Sequence, residues 1–133
     1  MRRFIVVTAA VLASLFIAAP SAWAGSPHFV EATATAEGST LTVAGKDAGL
    51  GNETQVHIVV TATALCINNG GHHPKAVNKG TFSAESDFPV QNGKAEFSLT
   101  LIAIFQPECT PPMTVSWTDI VITDTEHGVT TRL

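Results

Sequence analysis

The chain has 133 residues, of which 45% are hydrophobic and 14% are charged, and its formal net charge is −4. Arg2 and Arg3 lie in a segment that we expect to be removed, and residues 25–133 then carry five basic and eleven acidic residues, a net charge of −6. This balance excludes a protein that binds a phosphate backbone, so nucleic acid is not an expected partner. Residues 25–133 are enough for one domain with a hydrophobic core.

The first 24 residues have the pattern of a secretory signal peptide. Arg2-Arg3 precede a near-continuous apolar stretch from Phe4 to Ala19, and Ala22-Trp23-Ala24 provides the small residues that signal peptidase accepts. A membrane span needs about twenty apolar residues, and this stretch is shorter. We therefore expect cleavage after Ala24, no membrane span after cleavage, and a secreted, extracellular bacterial protein with a single domain over residues 25–133.

The remaining chain is typical of β-structure. Threonine, valine and isoleucine recur, and no window of eleven or more residues has apolar positions at helical spacing. The predicted strands are Phe29–Glu37, a strand beginning at Leu41 and Val43, Gln55–Cys66, Thr81–Val90, Lys94–Phe105, Met113–Thr123 and Val129–Leu133. About seven strands at intervals near ten residues predict an all-β fold, an immunoglobulin-like antiparallel β-sandwich.

Alternating apolar positions predict which face of each strand is buried. In the first strand, these positions are Val30, Ala32, Ala34 and Ala36. In the strand Gln55–Cys66, the same alternation points Cys66 towards the interior.

Three local patterns predict turns and irregularities. The segment Gly45–Asn52 contains three glycines and is predicted to be a loop. Asn92-Gly93 predicts a hairpin that pairs the two flanking strands, with Phe88 facing Phe97 and Pro89 on the outer side of an edge strand. A change of phase near Thr118-Asp119 predicts a β-bulge.

The two cysteines are expected to form a disulfide, because an exported protein with two cysteines most often joins them. A Cys66–Cys109 bond would hold the predicted loop 67–80 against the loop 106–112. A catalytic or metal-binding thiol is the alternative, but no basic constellation adjoins either cysteine. The end of the sandwich that carries this bond is where we expect the functional site.

Polar residues of the loop 67–80 are the candidate ligand-binding residues. Asn68, Asn69 and Asn78 offer paired donors and acceptors suited to sugars or peptide backbone, although asparagine is also what tight loops require. His72 and His73 add imidazoles that suit zinc or copper, but their spacing is not that of a metal site. We expect two solvated histidines, no metal and no cofactor.

The acidic residues Asp119, Asp124 and Glu126 cluster near the last predicted turn. Calcium binding is the alternative considered, but no Asp-x-Asp-x-Asp-Gly loop is present, so a solvated acidic end is expected. No serine lies in a nucleophile elbow, and no carboxylate pair can be named from spacing, so no catalytic residue is predicted.

The segment Cys66-Ile67-Asn68-Asn69-Gly70-Gly71, followed by Pro74 and Asn78-Lys79, resembles small secreted bacterial proteins of unassigned function. In those proteins a Cys-x-Asn-x-Gly-Gly loop follows a Thr/Val-rich strand. The resemblance covers most of residues 28–124. It implies a secreted β-domain and a disulfide, and it carries over no activity.

These patterns together predict a non-catalytic binding or envelope-associated module whose partner is a cell-envelope protein, a secreted protein or a glycan. A secreted protease inhibitor is the second hypothesis, because the loop 106–113 is stiffened by prolines and anchored by Cys109. A small secreted enzyme is a distant third.

Overall fold

The computed structural model describes residues 26–68 and 75–133, with the backbone alone for residues 75–77. Its strands are β1 (His28–Glu37), β2 (Thr40–Ala48), β3 (Gln55–Asn68), β4 (Lys75–Pro89), β5 (Ala95–Ile102), β6 (Thr114–Asp124) and β7 (Val129–Arg132). They form a three-stranded sheet in the order β1-β2-β5 and a four-stranded sheet in the order β4-β3-β6-β7. All pairings are antiparallel, and the described residues contain no helix, which confirms the predicted all-β sandwich.

The core lies between the two sheets and is built from the inward positions of the central strands. In β3, every second residue from Val56 to Cys66 is at most 2% exposed, because the other sheet covers that face. Leu41 and Val43 of β2 and Leu101 of β5 pack from the opposite side. The predicted burial pattern of β3, including the inward position of Cys66, is confirmed.

The predicted bulge in β6 is present. The register between β3 and β6 shifts where Thr61 pairs with Val121 but Thr63 pairs with Thr118, and Asp119 has a φ of 52°. The extra residue restores the inward phase, so that Trp117 and Ile120 both pack against the core despite their odd spacing.

The predicted buried face of β1 is wrong at Val30, and two of its other residues are not buried. A register shift between Val30 and Thr33, with Glu31 at a φ of 54°, reverses the phase of the strand. Phe29 and Ala32 consequently pack against the core, whereas Val30 pairs with Lys46 on the outer face. Ala34 and Ala36 pair with Val43 and Leu41 and so share the inward face as predicted, but they are exposed on this edge strand.

The predicted loop beginning at Gly45 is also wrong, because β2 continues to Ala48. This segment pairs with β1 on one side and with β5 on the other, so its backbone is fully used by the sheet. The continuation matters for the chemistry described below, because it carries Asp47 into the interior.

The predicted hairpin between β4 and β5 is wrong in its pairing. Asn92 and Gly93 do form a tight turn with positive φ, but the turn passes from one sheet to the other, and a single bridge, Gln91↔Lys94, connects its two sides. Strand β4 pairs with β3 along its whole length, and β5 pairs with β2. Phe88 and Phe97 therefore meet across the core, with ring centroids 6.2 Å apart, rather than as neighbours in one sheet. Pro89 is exposed on an edge strand, as predicted.

Candidate functional site

The Cys66–Cys109 disulfide forms as predicted and fixes one end of the sandwich. It joins the last inward position of β3 to the loop between β5 and β6. Around it lies a small second core of Ala64, Ala103 and Phe105, and the sulfur of Met113 is 3.7 Å from that of Cys66. The loop after β5 is thus held both covalently and by apolar contacts.

The predicted loop 67–80 is mostly strand. Strands β3 and β4 remain paired as far as Asn68 and Lys75, with a register shift between Cys66 and Ile67. Asn68 is the exposed last residue of β3, and Asn78 is half-buried in β4, opposite Cys66. Asn69, His72 and His73 lie outside the described residues, so ligand binding by this set stays a prediction.

A cleft of about 780 Å³ lies beside the disulfide. It is lined by Ser39 and by residues 103–109, and the amide of Ala103 donates a hydrogen bond to the carbonyl oxygen of Ser39 (2.8 Å). The chain alternates here as in a strand, so Ala103 and Phe105 face inward while Ile104 faces out. Ile104 is 71% exposed, and Ile102, on the same face, is 59% exposed.

Ile102 is the last residue of the edge strand β5, and Ile104 lies two residues beyond it. This edge has few of the features that block strand addition. Natural sheets protect their edges with bulges, prolines, lysines or very short strands. The other three edges follow this rule: β1 has the bulge at Glu31, β4 ends in Pro89, and β7 has four residues including Arg132. Strand β5 is regular over eight residues and contains no proline and no lysine. Within the described ranges, no strand pairs with its outer side.

The opposite end of the sandwich contains a network of acidic residues and one histidine. Asp47 of β2 and Asp124 of β6 come from different sheets, and both are fully buried. Asp124 Oδ1 accepts hydrogen bonds from the amides of Glu126 (3.0 Å) and His127 (3.1 Å), which shapes the turn between β6 and β7. The expected solvated acidic end is therefore wrong for Asp124, whereas Asp119 and Glu126 are exposed.

His127 connects this network to the loop between β2 and β3. Its Nδ1 lies 2.7 Å from Asp124 Oδ2, and its Nε2 lies 2.8 Å from Glu53 Oε2. Burial alone would lower the pKa of His127, but the hydrogen bonds to the two carboxylates outweigh it and raise the pKa above 6.5. A protonated His127 satisfies both acceptors at once.

Asp47 is the residue in this network whose charge is least compensated. While it is ionised, neither of its carboxyl oxygens has a hydrogen-bond partner. Burial, followed by the hydrogen bond to Asp124, raises the pKa of Asp47 to about 8. Burial alone would raise the pKa of Asp124 too, but hydrogen bonds from Asp47 and from the ring and amide of His127 lower it. Asp47 is thus the protonated member of the pair at neutral pH, with its O–H donating to Asp124.

Sequence reasoning missed this pair. Asp47 follows Leu41, Val43 and Gly45 at every second position, so the inward phase of β2 would have placed it in the interior had the strand been extended past Gly45. Although paired carboxylates are typical of acid–base catalysis, these two are 0% exposed and cannot touch a substrate in this conformation.

The described residues contain no group of three or more His, Cys, Asp or Glu that could hold a metal ion. Among them, no helix is long and apolar enough to cross a membrane. Comparisons with protein-family models, curated proteins and solved structures gave no match.

Proposed function

We propose that this domain is a non-catalytic binding module that captures an extended segment of another protein as an additional strand on β5. The observation that carries the proposal is a pair of exposed isoleucines beside the cleft, Ile102 at the end of the unblocked edge strand β5 and Ile104 two residues beyond it. A strand added at this edge would gain main-chain hydrogen bonds for affinity and alternate side-chain contacts for specificity.

The energetics favour an apolar residue at alternate positions of the partner. Burying an isoleucine from water contributes roughly 1.5–3 kcal/mol. Because Ile102 and Ile104 are mostly exposed, a partner that covers them would gain much of that free energy. The disulfide fixes the cleft wall before binding, which reduces the ordering cost of association. The disulfide is also typical of an oxidising compartment, so we propose a secreted or envelope-associated protein as the partner.

The proposal is tested with a displayed peptide library selected on the oxidised domain, followed by hydrogen exchange of the complex. Enriched peptides are expected to alternate apolar and polar residues and to slow exchange of β5 amides. Ile102→Lys and Ile104→Lys should abolish binding, because lysine blocks strand addition. Leu133→Lys is the matched control, since Leu133 is 46% exposed elsewhere on the molecule.

Two results would contradict the proposal. Equal binding by the Ile102→Lys, Ile104→Lys and wild-type domains would remove the β5 edge as the site. Loss of binding only when Asn68, Asn69, His72 and His73 are replaced by Ala would move the site to the β3–β4 connection, where a glycan is the alternative ligand.

Protease inhibition is the second candidate, and one observation favours it. Residues 106–108 and 110–112 are exposed on both sides of the anchored Cys109, as a rigid inhibitory loop requires. Inhibition of a panel of secreted proteases that is lost on changing Glu108 or Thr110 would favour this function over strand capture.

A further inference from the structure

The end of the sandwich opposite the disulfide joins the two sheets through ionisable groups. Asp47 is contributed by the three-stranded sheet, and Asp124 by the four-stranded sheet. Glu53 and His127 add the β2–β3 loop and the β6–β7 turn. Nothing in the strand-capture proposal uses these residues.

We propose that Asp47, Asp124, His127 and Glu53 form a proton-operated clasp, which holds the two sheets and two loops together while Asp47 is protonated and opens when Asp47 ionises.

The clasp depends on a proton because its surroundings supply no other donor to Asp47. The residues paired with Asp47 are Phe29 of β1 and Ala95 of β5, and those paired with Asp124 are Ile58 of β3 and Val129 of β7. None of these four side chains titrates. The charged groups that act on Asp47 are Asp124, Glu53 and His127, two of them acidic.

Loss of the proton leaves Asp47 as a buried carboxylate without a hydrogen-bond partner, close to a second carboxylate. A buried, unpaired charge is strongly destabilising, and the neighbouring Asp124 carboxylate adds repulsion. Asp124 keeps the hydrogen bonds from its two amide donors. The contact that is weakened is therefore the one between Asp47 and Asp124, which joins the two sheets. Opening this end admits water to Asp47 and relieves the strain.

The sign of the pH dependence follows from the directions of the pKa shifts. The pKa of Asp47 rises from 3.8 to about 8, so its contribution to stability is complete below pH 3.8 and is lost as the pH rises towards 8. The raised pKa of His127 acts in the same direction, because that stability is lost as the pH rises past 6.5. The lowered pKa of Asp124 acts oppositely, but only in the acidic range below 3.8.

The test compares the wild-type domain with Asp47→Asn in urea unfolding between about pH 5 and pH 9. For the wild type, we expect the folding equilibrium constant to fall by up to about tenfold per pH unit over the lower part of this range. Asparagine donates a hydrogen bond to Asp124 at every pH, so Asp47→Asn should remove the slope below about pH 6.5, while the slope that His127 and His57 contribute above that pH remains. Glu96→Gln, which neutralises an exposed carboxylate on β5, is the matched control and should keep the wild-type slope.

Hydrogen exchange distinguishes an opening clasp from uniform loss of stability. The amides of Asp47 and Ala48, at the end of β2, should lose protection between about pH 5 and pH 9 by more than the rise in intrinsic exchange rate explains, while the amides of central β3 stay protected. NMR titration of the Asp47 carboxyl carbon in the wild type gives a direct check should Asp47→Asn fail to fold.

Three outcomes would overturn the proposal. Asp47→Asn could show the wild-type slope, or the Asp47 carboxyl could titrate near its ordinary value. Stabilisation at about pH 8 by calcium alone, reversed by EDTA, would assign the carboxylates to a cation instead of a proton.

Discussion

His57 lies on the outer face of β3, held between two carboxylates of β4. Its Nδ1 is 2.6 Å from Asp87 Oδ1, and its Nε2 is 2.9 Å from Glu85 Oε1. The hydrogen bond to Asp87, followed by that to Glu85, raises the pKa of His57 above 6.5. Protonation of His57 consequently joins β3 to β4 at low pH, and the stability it contributes is lost as the pH rises through the raised pKa.

We expect Asp87→Asn to lower the pKa of His57 more than Glu85→Gln does, because the contact with Asp87 is the larger cause of the shift. NMR titration of the imidazole carbons in the three proteins measures this directly. Equal pKa values in the wild type and Asp87→Asn would show that the imidazole does not hold this position in solution.

For individual residues, the sequence predicted burial correctly where the alternation was uninterrupted. The prediction of the inward face failed where one residue changed the phase of a strand. Cys66 was placed correctly because β3 has no inward irregularity before it. Val30 was placed wrongly because Glu31 adopts a positive φ that no residue pattern signals. Asp47 was missed because the glycines on both sides of it are typical of a loop.

At the scale of the strands, Gly45 sets how closely β1 approaches the rest of its sheet. A Cβ at position 45 would lie 2.9 Å from the Cα of Ala32 and 3.1 Å from Phe97 Cζ. The first contact is with backbone, so the strand itself would have to move.

Gly45→Ala should therefore destabilise the domain by about 1–3 kcal/mol, the usual cost of overpacking. Urea unfolding measures the loss, and faster amide exchange confined to β1 would locate it. A fully stable Gly45→Ala protein with unchanged exchange in β1 would show that this close approach is dispensable.

The pairing of strands was the least predictable level of the fold. Asn92-Gly93 correctly signalled a tight reversal, but a reversal specifies the direction of the next strand and not the sheet that it joins. Phe88 and Phe97 contact each other across the core, and they would also be in contact as neighbours within one sheet, so their apolar character does not distinguish the two arrangements. The deciding interactions are the long pairings of β4 with β3 and of β5 with β2, which depend on residues far apart in the chain.

At the scale of the whole molecule, the disulfide closes a loop that contains β4 and β5 and ends before β6. Its 43-residue separation gives a stabilisation of roughly 4 kcal/mol when the entropy of the unfolded chain is considered alone. Replacing both cysteines by Ala should reduce the free energy of unfolding by up to about that amount.

Urea unfolding of the oxidised wild type, the reduced wild type and the Cys66→Ala/Cys109→Ala variant measures this contribution. The reduced and substituted proteins should agree closely. A substituted protein as stable as the oxidised one would mean that apolar contacts around Ala103 and Phe105 hold this end without the bond.

The sequence predicted a site at the disulfide end of the molecule, but it did not predict the edge of β5 as the binding surface. The pairing of the cysteines follows from their number, and the proposed site lies at the end of the molecule that carries this bond. Ile102 and Ile104 fall in the predicted strand Lys94–Phe105, but alternation alone does not show that its outer edge has no neighbour among the described strands.

The position of the disulfide also determines how the molecule responds to mechanical force. A pull applied at Ser26 and Leu133 would extend β1, β2, most of β3, β6 and β7, but the disulfide bypasses the residues between Cys66 and Cys109. Those 43 residue steps would otherwise add roughly 140 Å to the fully extended length. Strands β4 and β5, and with them the proposed capture edge, bear no tension along the chain in such a pull.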